Sequence, residues 1–162
     1  MPSLPQLVAL VPALYLLLVA IPLTVIDLRE HRLPNRIVLP VFPIALLAQG
    51  IAVALGANWL HLLLSFFIGV AVFVIGLIAN YWDVLGMGDV KLASGIALVT
   101  AFFSVLLPFI SIGLAFVFAF LVVIIQLGFG KAKLGQSIPL GPYLLLSFFL
   151  SVGYQFASSA SS

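Results

Sequence analysis

Polar residues are so sparse along this chain that the apolar runs between them mark out its elements. No charged residue occurs from about Leu4 to Ile26, a run long enough to cross a hydrocarbon core of about 30 Å as a helix. Pro12 and Pro22 lie within it, and membrane helices tolerate such prolines. Next comes Asp27-Leu-Arg-Glu-His-Arg-Leu-Pro-Asn-Arg36. It reads as a loop, because proline disfavours helical backbone in the residue before it. A second run covers about Ile37 to Leu55, with Pro40 and Pro43 in its first turns, and Gly56-Ala57-Asn58 makes a turn. A third runs from about Leu60 to Ala79 and closes at Tyr81-Trp82, an aromatic pair suited to a headgroup boundary. Asn80 to Asp89 is the next polar loop. The chain is then apolar to about Phe129, too long for one crossing, and Pro108 divides it into a fourth helix, about Asp89 to Leu107, and a fifth, about Phe109 to Leu127. Gly128 to Gly135 is a flexible basic loop, and a sixth helix covers about Tyr143 to Phe156. The expected fold is an all-α membrane protein, a polytopic bundle of six transmembrane helices in one domain over residues 1–157, with a polar tail at 158–162.

Composition narrows the function classes. Hydrophobic residues make up 65% of the chain and charged ones 6%, against about 25% charged in globular domains, so a soluble core is excluded. The net charge of +2 is not the clustered basic face that nucleic acid requires. With no cysteine there is no thiolate nucleophile and no Cys-ligated metal, and His31 and His61 lie in different loops. No metal site and no cofactor are expected. The first run lacks the preceding Lys or Arg of a secretory signal; Arg29, Arg32 and Arg36 come after it. With the N-terminus extracytoplasmic, every Lys and Arg falls in or at a cytoplasmic loop, as the positive-inside rule asks.

The four acids, Asp27, Glu30, Asp83 and Asp89, occupy two short segments. A carboxylate at a membrane boundary is costly and is a functional candidate by default. Asp27 and Asp89 come to the same membrane depth in this topology. Two carboxylates held close share a proton, since like charges about 3 Å apart cannot both ionise, so one can activate water while the other protonates a carbonyl and a leaving amine. Gly86 and Gly88, in Gly86-Met-Gly-Asp-Val-Lys91, let backbone approach Asp89 closely. Structural roles compete with these. Asp89 can be an N-cap, Asp27 an interfacial charge paired with Arg29 or His31, Lys91 a snorkelling side chain, and the arginines topology signals. His31 and His61 read as ordinary boundary histidines, and the spacing of Ala115 and Ala119 suits helix packing. An ion or proton pathway built on the same Asp pair is the nonproteolytic alternative.

Asp27 followed by Leu33-Pro34-Asn35, then Gly86-Met87-Gly88-Asp89-Val90-Lys91-Leu92, then Ile138-Pro139-Leu140-Gly141-Pro142, resembles the type IV prepilin peptidase family of GxGD aspartyl membrane peptidases. The resemblance spans nearly the whole chain. It implies removal of a basic leader from type IV prepilins or pilin-like precursors at the cytoplasmic face of a bacterial or archaeal membrane. It places the catalytic pair on Asp27 and Asp89 and gives Gly86, Gly88, Lys91, Pro34 and Asn35 supporting places in the motifs. An archaeal preflagellin-type peptidase shares these features. The presenilin type usually has Tyr where Ile26 precedes Asp27. Larger members carry a cytoplasmic domain with paired Cys-x-x-Cys motifs; this cysteine-free chain is similar to the short form of Flp or Tad pilus systems, which implies no methyltransferase activity. Leu140 stands where the family often has Phe. The implied partners are a precursor with a basic leader and an apolar helix, and membrane lipids, with no nucleic acid. Glu30 and Asp83 are the candidates for attracting the leader.

Overall fold

The structure, a computed structural model, describes residues 3–129 and 139–161, the last four by backbone alone. The expected basic loop, with Lys131 and Lys133, lies outside the described residues, as does Ile138. Every regular element among the described residues is a helix: α1 (Leu4–Ala9), α2 (Val11–Glu30), α3 (Asn35–Val38), α4 (Val41–Ala54), α5 (Trp59–Tyr81), α6 (Met87–Ala101), α7 (Leu107–Gly128) and α8 (Gly141–Ser161).

The first apolar run is not one helix. It breaks at Leu10, two residues ahead of Pro12, which then occupies the first turn of α2, where a missing N–H costs nothing. Pro22, by contrast, is carried inside α2. The second run starts earlier than expected, at Asn35, and breaks between α3 and α4 at Leu39 and Pro40. Helical carbonyls left without donors must find them elsewhere in an apolar medium, and the carbonyl of Ile37 accepts from the Tyr15 hydroxyl at 2.7 Å. That bond fastens α3 to α2.

The apolar stretch after Val90 divides at 102–106, and Pro108 lies in the first turn of α7. The expected fourth span, Asp89 to Leu107, is therefore corrected to α6, a helix of 15 residues. At 1.5 Å per residue it is about 22 Å long. Among the described residues four stretches are long and apolar enough to cross a membrane: Leu4–Glu30, Asn35–Ala54, Trp59–Tyr81 and Leu107–Gly128. This is an integral membrane protein, but α6 does not meet that length.

Instead α6 is the centre of the bundle. Val90, Leu92 and every residue from Ser94 to Ala101 are buried, and α3, α4, α5, α7 and α8 all pack against it. Small residues permit the close approach, as in membrane helix pairs generally. A Cβ on Gly76 of α5 would meet Val90 Cγ1 at 2.5 Å, and one on Gly95 would meet Val41 Cγ1 at 2.6 Å. Ala115 and Ala119, singled out by their spacing, are indeed buried on α7. The outward faces of α5 and α7 carry exposed Phe67, Ile75, Phe109 and Phe120, as lipid contact requires.

A polar side chain deep in this apolar interior ties three helices together. Gln49 of α4 is fully buried; its Nε2 donates to the Leu98 carbonyl at 2.8 Å and its Oε1 accepts from Ser65 Oγ at 2.7 Å. The side chain thus joins α4, α5 and α6. Replacing it, Gln49→Ala, removes both bonds and leaves a cavity, so a loss of about 2 kcal/mol is expected, to be read as a lowered unfolding midpoint in detergent. Ser65→Ala should cost less, because Gln49 keeps its bond to α6.

Candidate active site

The two acidic segments reach their places by helix termination. At the end of α2, His31 takes the left-handed conformation, φ 50°, and its N–H donates to the Asp27 carbonyl at 2.9 Å. Asp27 is therefore in the last turn of α2 and not in the loop. The sharp turn sends Leu33, Pro34 and Asn35 back across the helix end.

At the end of α5 the closure is tighter. Asp83 has φ 55°, its N–H donates to the Asn80 carbonyl at 3.0 Å, and the Val84 N–H donates to the Ala79 carbonyl at 3.0 Å. These are the two bonds of a Schellman motif with Asp in the left-handed place that glycine usually takes. Asn80 Nδ2 also donates to the Leu85 carbonyl at 2.7 Å, so the loop into Gly86 is short and braced. Asp83 serves this turn and does not line the cavity described below.

Gly86 is the N-cap of α6. Asp89 follows in the first turn, so the N-cap reading of Asp89 is corrected: it is an acid at the positive end of a helix whose side chain is not the cap. Its Oδ1 is buried with no hydrogen-bond partner among the described residues. Buried polar atoms are rarely left so, and an unmet carboxylate oxygen is an acceptor for a water or a substrate donor.

All three motifs meet here. The Gly141 N–H, at the start of α8, donates to Asp27 Oδ2 at 2.9 Å. Asp27 is only 3% exposed; among the described residues neither the Arg29 nor the His31 side chain forms an ion pair with its carboxylate, although His31 is close enough for its charge to act on it. Leu33, buried, is the common neighbour: a Cβ on Gly88 would lie 2.8 Å from Leu33 Cβ, and one on Gly141 would lie 3.1 Å from Leu33 Cδ2. Lys91 Nζ donates to Asn35 Oδ1 at 2.9 Å, joining the first motif to the second. Sequence reasoning assigned no role to Leu33 or Gly141 beyond motif membership. Their separation along the chain hides a contact that only folding makes.

Asp27 and Asp89 face one cavity of about 500 Å³, whose wall also includes Glu30, Arg32, Pro34, Asn35, Gly86, Gly88 and Lys91. The charge of Asp27 is close enough to act on Asp89. Such a space admits water and an extended peptide strand, and the paired acids can exchange protons with both. No group of His, Cys, Asp and Glu suited to a metal ion occurs among the described residues. The Lys91 to Asn35 bond holds the cavity wall, so Lys91→Met and Asn35→Leu should each lower turnover by about tenfold. In a double-variant cycle the two losses should be less than additive.

These features define a helical membrane protein whose polar chemistry is gathered at one end of its bundle, around two acids from different helices. The chain belongs to the type IV leader peptidase family, whose family model matches residues 14–154. It is accordingly a peptidase of the membrane with a protein substrate. Neither the curated proteins nor the solved structures give a match.

Proposed function

We propose that this protein is an aspartyl endopeptidase that removes the basic leader from type IV prepilins or pilin-like precursors. The observation that carries the reading is the convergence of Asp27 and Asp89 on one cavity. Asp27, with a backbone N–H aimed at Oδ2, serves as the carboxylate. Asp89, whose Oδ1 has no donor, carries the proton. Asp27 takes a proton from water as the water oxygen attacks the scissile carbonyl carbon, and Asp89 donates its proton to the carbonyl oxygen. The tetrahedral diol then collapses: a diol proton returns to Asp89, the C–N bond breaks, and the leaving nitrogen takes the proton held by Asp27. The products are a leader carboxylic acid and a mature chain with a free amine.

In this proposal six helical rods cross a bacterial or archaeal cytoplasmic membrane, with α6 sheathed by the others and the N-terminus outside. The cavity then opens to the cytoplasm. The placing of Arg32 and Lys91 around it agrees with a positive-inside orientation. Glu30, on the cavity wall, attracts the basic leader; Asp83, which does not line the cavity, is given no such role.

The test is cleavage of a co-expressed type IV prepilin precursor, followed as a gel shift with the new N-terminus sequenced. Release of the leader at a single bond supports the reading. A precursor left intact by well-inserted wild-type protein overturns it and brings forward the ion-pathway alternative.

A further inference from the structure

Asp89 borders a second cavity besides the one it shares with Asp27. This one, of about 170 Å³, is lined by Ile75 and Val72 of α5, Ile112 and Phe116 of α7, and Leu140 ahead of α8, with Asp89 its sole charged residue. It is smaller than the pockets of about 300 to 1,000 Å³ that hold whole small molecules. Its size suits an apolar side chain. α5 packs on α6 and α7 packs on α6 and α8, and among the described residues α5 and α7 make no extended contact with one another. The seam between them is open, and Ile75 and Phe116 are exposed on its two sides.

We propose that this cavity is the specificity pocket for the mature side of the substrate, taking an apolar side chain from the first turn after the scissile bond. The substrate helix then lies in the seam between α5 and α7. The inference rests on the leader-peptidase reading and adds the side of approach and the pocket. A polypeptide passing Asp89 from the first cavity to the second leaves a wall rich in charged groups and enters one that is apolar apart from Asp89 itself. A basic leader followed by an apolar helix has the same order of chemistry, so the boundary in the protein matches the boundary in the substrate. A lipid acyl chain would fit the apolar seam but has no reason to end at a buried carboxyl group. Leu140 belongs to the third motif and forms part of this wall, which makes it a specificity-determining residue.

Two measurements test this. In an Asp27→Asn background, where turnover is expected to be slow, a photo-crosslinking amino acid is placed at position 75, 116 or, as a control at an exposed position of α4, 47. With a co-expressed prepilin precursor, adducts from 75 and 116 should exceed those from 47 by about tenfold. Separately, Leu140→Phe should slow cleavage of the unaltered precursor by about tenfold, and alanine at one apolar position in the first turn of the mature segment should restore most of that loss. General misfolding would produce no such substrate-dependent rescue. Equal adducts from position 47, adducts with lipid alone, or a Leu140→Phe enzyme with unchanged preference would overturn the pocket while leaving the peptidase reading in place. A precursor that stays intact with the wild type strikes the peptidase reading itself.

Discussion

Asp27→Asn and Asp89→Asn should each reduce leader cleavage by about 10²- to 10⁴-fold while leaving insertion and the unfolding midpoint nearly unchanged. The asparagine is close to isosteric, and its amide oxygen can still accept from the Gly141 N–H, now 2.9 Å from Asp27 Oδ2. What it loses is the capacity to take or give a proton, and positioned acid or base groups contribute about 10²- to 10⁴-fold each. The pair acts as a unit, so the double variant should be hardly slower than either single one. The readouts are initial cleavage rates of a prepilin precursor and the midpoint of thermal unfolding. A single variant retaining wild-type rate would remove that residue from the proposed dyad, and losses that multiply in the double variant would mean the two acids act independently.

Gly141→Ala and Gly88→Ala are expected to be nearly as damaging, by geometry instead of chemistry. A Cβ at 141 would lie 2.8 Å from Asp27 Oδ2 and 3.1 Å from Leu33 Cδ2, so Asp27 or the start of α8 must shift. At 88 the added atom would lie 2.8 Å from Leu33 Cβ and 3.2 Å from the Leu33 backbone nitrogen. Misplacement of about 1 Å in a catalytic group costs about 10²-fold, and overpacking costs about 1 to 3 kcal/mol. The two differ in rescue. Leu33→Ala relieves one of the two close contacts at 141 and should recover part of that loss. It relieves nothing at 88, where the obstacles are the Cβ and the backbone that alanine retains. Cleavage rates of the two double variants decide the matter: equal rescue of both, or none of either, would contradict the packing described around Leu33.

The apolar runs were readable because a membrane leaves few other uses for them, and α5 and α7 run close to their expected limits. Breaks were less readable. Leu10 carries no turn chemistry of its own, and the C-terminal end of α6 follows from the 102–106 turn and not from Pro108, which a helix accepts in its first turn. Asp83 looked like a free acid beside the motif. What the structure adds is the place of its backbone, a positive φ and the two capping bonds of the turn after α5. Gln49, an uncharged residue in an apolar run, carried no signal that it would join three helices.

From sequence alone came the membrane class, the helical content, the clustering of all acids into two segments and the three motifs in order. These follow from local composition and from the cost of exposing charge or unpaired backbone to lipid. The tertiary structure decided the rest. It made the 15-residue α6 the centre, brought Gly141 to Asp27 and Leu33 between two glycines, and placed Asp89 where a polar cavity meets an apolar one. Such contacts join residues far apart in the chain, and they depend on how close two backbones can come, which no single stretch encodes.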